Sequence, residues 1–354
     1  MIRIHPAVFV VLLCRPLLNI TMKYHMFTVD VVDAFFTHLQ LEQIKINEIL
    51  SKNEPMKPLT VDQNTKYDKC ENCPSCNIAL TPENKVRHHC HVTGDFLSAL
   101  CNNCNLQMKF VKRTKGRDDK NYLIPVIFHN LRGYDSHVIL KHLSRFFAPN
   151  DVFVIANNME KYLAFEIDGL RFLDSLQFLN CSLDTLVQNL SKEVTLSKDE
   201  NSSKEGNSKF VHMRRLYPND EQFKLLLRKG VYPYEYMNNA EKMSETCLPP
   251  QEKFFSRLTD EGISDADYAH AQKVWEAFSM CTMRHYHDRY LESDVVLLAD
   301  VFEAFRKMCL IYYQLDPLHY YSSPGLSWDA CMKMTNESLD PIHIFSLRKG
   351  CGEG

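Results

Sequence analysis

Six of the thirteen cysteines crowd into residues 70 to 104. The pair Cys73-x2-Cys76 followed by Cys101-x2-Cys104 constrains this chain more than any other feature. Each Cys-x2-Cys turn aims two thiolates at one ion, and two such turns complete a tetrahedral shell. Cys70-x2-Cys73 is an alternative first pair, so one of Cys70, Cys73 and Cys76 must stand aside. A segment this small has little core of its own, and the ion then supplies much of its folding free energy. The expectation is a knuckle with a basic tail over residues 61 to 120, holding structural Zn²⁺ on Cys73, Cys76, Cys101 and Cys104. An odd cysteine total, with the other thiols scattered singly, fits a reducing compartment better than a secreted disulfide framework.

At 354 residues the chain is long enough for two or three domains, and 21 Phe with 16 Tyr mark it as globular. A formal charge of -3 leaves no global nucleic-acid footprint, so any DNA contact must be local. Lys109, Lys112, Arg113, Lys115, Arg117 and Lys120 form one local cluster, readable as a solvated linker or as a phosphate-binding arm. The apolar run Ala7 to Cys14 is far short of the ~20 residues of a membrane span. No clean cleavage site precedes Arg15-Pro16, so an irregular or mis-started N-terminus is expected rather than a signal peptide, with no membrane partner. Residues 28 to 52 place Val32, Phe35, Phe36, Leu39, Leu41, Ile44, Ile46 and Leu50 at helical spacing, giving an N-terminal helical segment and linker over residues 1 to 60.

From Leu123 the pattern turns α/β. Strand-like runs (IPVIF, DVFVIA, KYLAFEIDGLRFLDS) alternate with helix-like ones (HVILKHLSRFF, SLDTLVQNLS), which suits a mixed sheet flanked by helices. The first strand delivers Asn130, Tyr134 and Asp135 onto a turn around Gly133, where a carboxylate can offer hard oxygens to Mg²⁺ and an amide can hold a phosphate or sugar oxygen. Far downstream, Tyr290 and Asp294 are four apart and share one face of a helix whose apolar side carries Val295, Leu297, Leu298 and Val301. Residues 192 to 219 read as a surface loop, and Ser264-x2-Asp267 as a helix cap. Asp174 ends a strand and is read as a further carboxylate or as a cap for the amides of Ser175 and Gln177. Tyr232 to Tyr236, Trp275 and Trp328 are expected in the core.

These stretches carry a resemblance. Asn130…Tyr134-Asp135 resembles the second exonuclease motif of family B DNA polymerases, and Tyr290-x3-Asp294 the third. FLDSLQFLNCSLDTLVQNL, LLLRKGVYPYEYMN, HAQKVWEAF and DPLHYYSSPGLSWDACMKM resemble the protein-primed branch, particularly viral and Maverick/Polinton-type transposon polymerases, over roughly residues 40 to 350. The resemblance implies a ribonuclease H-like 3′-5′ exonuclease domain over residues 121 to 316 and the start of a polymerase domain over 317 to 354. It implies Mg²⁺ or Mn²⁺ on Asp135 and Asp294, with Tyr290 and Asn130 in the chemistry, and DNA, single-stranded or primer-template, as partner. Tyr134 would touch the strand. Ser182-Leu183 resembles a motif contacting primer strand and terminal protein, and Lys229-x2-Tyr232 a lysine motif near the exonuclease metals. Ser182 reads equally as a helix N-cap, and Lys229 as the last turn of a helix ending at Gly230. With the thiols, the resemblance implies an intracellular, nuclear location.

Inside the knuckle, His88-His89-Cys90-His91 with Asn105 resembles the ββα-metal, HNH-type core of phage recombination endonucleases. His88 stands where that pattern has a metal-binding Asp, and imidazole suits Mg²⁺ poorly. His89 and His91 are then read as DNA contacts or as a general base.

Two departures bear on activity. No Asp-x-Glu occurs between Met1 and Phe128, so Asp135 and Asp294 lack the partner carboxylates of a two-ion site. The palm motifs of polymerisation are also missing, so nucleotide addition by this chain alone is not expected. Three readings follow: an N-terminal exonuclease-region piece of a family B polymerase, a domesticated nucleic-acid-binding module, or an HNH-type zinc endonuclease.

Overall fold

The computed structural model describes residues 9–11, 23–25, 31–107, 123–133, 135–147, 152–156, 162–196, 209–257 and 260–335. Tyr134 and the basic cluster from Lys109 to Lys120 lie outside them. A two-stranded ribbon, β1 (Phe9–Val11) and β2 (Lys23–His25), pairs antiparallel with Phe9 opposite His25. Helix α1 (Val31–Ser51) follows, and its buried stripe is Val32, Phe35, Phe36, Leu39 and Ile46, with Gln43 also buried. Leu41 and Ile44, expected among its apolar positions, sit on the other side at 48% and 56% exposure. Gln43 takes the stripe position between Leu39 and Ile46 because its amide donates to the Asp168 carbonyl.

Helix α2 (Val61–Lys69) opens with a capping box in which Thr60 and Gln63 satisfy each other's amides. The knuckle proper runs β3 (Lys85–His89), β4 (Phe96–Cys101) and α3 (Asn102–Gln107), a ββα order. Its small core is Cys73, Leu100, Cys101 and Cys104, flanked by Leu80 and Val86.

The main sheet has the order β5-β8-β7-β6, from β5 (Ile124–Phe128), β6 (Val152–Ala156), β7 (Tyr162–Ile167) and β8 (Leu170–Asp174), with α4 (Asp135–His142) after β5. The run KYLAFEIDGLRFLDS is two strands. Asp168 and Gly169 have φ of 46° and 81°, the left-handed pair of a tight hairpin whose twist matches the flanking strands. β5 lies parallel to β8, and that register sets Phe128 opposite Asp174. One face is closed by α1 and α4, so Phe35, Phe36, Ile139, Phe165, Ile167 and Phe172 share a core.

The second half is helical: α5 (Leu183–Leu196), α6 (Val211–Leu216), α7 (Asp220–Leu226), α8 (Asp265–Ala277), α9 (Met283–Tyr312) and α10 (Ser323–Thr335). Ser264 caps α8 as its spacing predicts, accepting from the Asp267 amide at 3.1 Å. Of the expected loop at 192 to 219, residues 197–208 lie outside the described residues, and the rest contains the end of α5 and all of α6, whose first amides are held by the buried Asp300 carboxylate at 2.8 and 2.9 Å. These helices pack around α9 through Leu183, Val187, Met213, Met283, Val296 and Leu297. Among the described residues, no helix is long and apolar enough to cross a membrane.

Candidate functional site

The strand β5 ends at a turn built by two residues. Asn130 is left-handed, with φ 67°, and its side chain lies where any Cβ on Gly133 would stand, within 2.7 to 2.9 Å. Only glycine at 133 leaves that amide its place. The next residue, Leu131, is fully buried and pins the turn to the sheet core. Asp174, fully buried at the end of β8, closes the turn from the opposite strand. Its carboxylate accepts the amides of Asn130 at 2.8 Å, Arg132 at 3.4 Å and Leu176 at 3.0 Å. The expected partners, Ser175 and Gln177, are thus replaced by Leu176 and two amides of the β5 loop, because the parallel register brings that loop within reach.

Asp135 begins α4 beside this turn. Burial pushes its carboxyl up to about 6, the charge of Asp174 adds to the rise, and its own backbone amide opposes it. His129, just before Asn130, faces Ser175 at 2.9 Å; burial holds its imidazole below the ordinary range.

Tyr290 and Asp294 come from the middle of α9, one turn apart as their spacing requires. Tyr290 is buried, and its phenol oxygen lies 2.7 Å from that of Tyr234. The ring of Tyr232 stacks on it at 5.1 Å, and Gly230 lets the chain pass, since a Cβ there would stand 3.1 Å from the ring. Burial also pushes the Asp294 carboxyl up to about 6, against the lowering effects of the Lys229 ammonium and the Tyr290 hydroxyl. One oxygen of Asp294 is buried without a hydrogen-bond partner. The Lys229 charge acts on both Asp294 on α9 and His129 beyond β5, lowering each of them.

Ser182 is exposed and caps α5, accepting from the Thr185 amide at 3.2 Å. Leu183 lies inside the helical core at 6% exposure, so of this pair only Ser182 offers surface to a strand; Leu183 packs. Lys229 is exposed and lies beyond α7, which ends at Leu226 rather than at Gly230.

Two metal sets can be weighed against these side chains. The sulfurs of Cys73, Cys76, Cys101 and Cys104 all lie within 4.8 Å of one another, the convergence that a tetrahedral thiolate site needs. Within the quartet the shifts are opposed: burial raises the Cys73 thiol but the amides of Cys101, Cys76 and Ser75 outweigh it and bring it to about 6, whereas burial pushes the Cys104 thiol up. Cys70 is the one that stands aside, its thiol donating to the Asn72 carbonyl at 3.3 Å. The set fits Zn²⁺. Among the described residues this quartet is the only group of three or more His, Cys, Asp or Glu side chains placed to share an ion. Among the described residues Asp135 and Asp294 belong to no such group, which does not fit a two-ion Mg²⁺ centre.

The knuckle histidines make local contacts. His88 bonds through Nδ1 to Asn105 at 2.9 Å, so the side chain at the expected metal position is spent on a neighbour. The rings of His89 and His91 lie 4.6 Å apart, and His91 meets the Asn53 amide oxygen at 2.6 Å. Sequence reasoning missed His129, and it expected Tyr234 in the core, where the structure leaves it 55% exposed with its hydroxyl on Tyr290. The only signal for His129 was adjacency to Asn130.

No curated protein and no solved structure matches the chain. The stretch that carries Asn130, Asp135, Asp174 and Ser182 does have a counterpart: residues 117–208 match the family model described as DNA polymerase type B, organellar and viral.

Proposed function

We propose that this chain is the exonuclease region of a protein-primed family B DNA polymerase, preceded by a zinc knuckle, and that it works in DNA replication by holding the 3′ end of a single strand. The observation that carries the reading is Asp294, a half-buried carboxylate with one oxygen buried and unpartnered, under the influence of the Tyr290 hydroxyl and the Lys229 ammonium. A core has no use for such a group; a site that meets phosphate and cation has. The family match over the β5 turn supports the same reading from the other side of the site. In this account the sheet and its flanking helices form the ribonuclease H-like domain, Asn130 and Ser182 meet sugar or phosphate oxygens, and Lys229 neutralises a phosphate.

Two carboxylates without a third offer little to two-ion hydrolysis, so strand binding is the principal activity and cleavage is slow. The test is a 5′-labelled single strand incubated with Mg²⁺ or Mn²⁺, beside an Asp135→Asn, Asp294→Asn double variant. The expected result is a gel shift with the wild type and at most slow shortening from the 3′ end that the double variant loses. Neither binding nor shortening would remove the proposal.

A further inference from the structure

We propose that Asp184 is a positioning residue for the strand site, one that hangs the Lys229 loop on the first turn of α5 and so aims the Lys229 ammonium into the site. The inference rests on the strand-binding reading above. Asp184 is half-buried, one residue inside the helix start. One of its oxygens accepts the backbone amide of Lys229 at 3.4 Å, and the other accepts the Gln188 side-chain amide at 2.6 Å, one turn further along α5. Gln188 thereby fixes the rotamer that points the first oxygen at Lys229.

The consequence is geometric. α7 ends at Leu226, so residues 227 to 231 leave it with no helix of their own. Arg228 is tied to Asp267 and the Val231 carbonyl accepts from the Tyr286 hydroxyl at 2.6 Å, and between these two anchors Asp184 holds the Lys229 amide on the α5 turn that Ser182 caps. From that anchor the ammonium reaches the fields of both Asp294 and His129. Without the Asp184 contact the backbone at Lys229 would be free between its two flanking anchors, and a long lysine side chain there would spread its charge over more positions and lose part of its pull on a phosphate.

The experiment measures binding of a fluorescein-labelled single-stranded oligonucleotide by anisotropy, over a range of salt. The proteins are the full chain, Asp184→Ala, Asp184→Asn, Lys229→Ala and the Asp184→Ala, Lys229→Ala pair. Asparagine keeps an oxygen for the Lys229 amide, so Asp184→Asn is expected within twofold of wild type. Asp184→Ala is expected to bind about fivefold more weakly and to lower the salt slope by about one, as Lys229→Ala does. In the double variant the two losses should not add, because both act through one ammonium. Additive losses, or an asparagine variant as weak as the alanine one, would overturn the proposal. Amide hydrogen exchange at Lys229 separates the two ideas. If the wild type binds no strand, the strand-binding reading fails, while protection of that amide lost in Asp184→Ala alone still supports the anchor and unchanged protection rejects it.

Discussion

Asp174 and Asp294 are both carboxylates at the edge of the site, and their surroundings separate their roles. Asp174 accepts three backbone amides, the pattern of a group that holds a turn together. Replacing it with alanine would leave those amides with no acceptor in a buried place. The expected loss is more than about 3 kcal/mol in urea unfolding, with collapse of the Asn130 turn. Asp294 has the opposite character. Its carboxyl is raised to about 6, so the folded protein holds a proton there that the unfolded chain releases nearer pH 4. A raised acid contributes stability below its unfolded range and loses it as pH climbs through about 6. Asp294→Asn should therefore match the wild type at pH 4 and exceed it by on the order of 2 kcal/mol at pH 8, measured by denaturant melts at both pH values. A variant that gains stability while losing strand binding would mark Asp294 as a group kept for function.

At the scale of elements, what could be read from sequence was what is local. Each Cys-x2-Cys pair, the Tyr290 and Asp294 pair on one helix and the Ser264 cap depend on spacings of three or four residues, and chain geometry fixes them. The Asp174 clamp depends on β5 lying parallel to β8 some 44 residues away, and no periodicity encodes that pairing. Leu183 looked like half of a recognition pair because motif reading treats neighbours alike, whereas a helix start sends Ser182 outward and Leu183 into the core. Likewise α1 was legible as an amphipathic helix, but not that it is the cover of the sheet. Phe36 is fully buried there against Phe146, Phe147 and Phe172. Phe36→Ala is expected to cost about 3–5 kcal/mol and to expose the sheet face, seen as dye binding before the main unfolding transition.

Among the described residues of the whole molecule, the knuckle and the sheet are separate cores that meet along a short strip. The knuckle core of Cys73, Leu100, Cys101 and Cys104 shares no buried residue with the sheet core, while Val92 from the β3–β4 loop packs on the latter. The linker after α1 adds backbone bonds from Glu54 to His91 and from Lys57 to Gly94, each 2.8 Å. The Lys57 and Asp95 ion pair beside them is exposed on both sides and contributes little. Gly94 is left-handed at φ 75°, and a Cβ there would strike the Pro55 carbonyl, so the strip is fitted to glycine. Two cores with a narrow join should unfold separately. Removing the metal with a strong chelator is expected to melt residues 61 to 107, because four converging thiolates without their ion leave that core too small to hold. The sheet should survive with a midpoint lowered by only a few degrees, the share contributed by Val92 and the two bonds. Hydrogen exchange read by mass spectrometry distinguishes the cases. Loss of protection confined to the knuckle supports two cooperative units, whereas simultaneous loss in β5 to β8 would mean that the join carries the fold of both. Gly94→Ala sharpens the test, since breaking the strip in the zinc-bound protein should reproduce the small fall in the sheet midpoint while the knuckle stays protected.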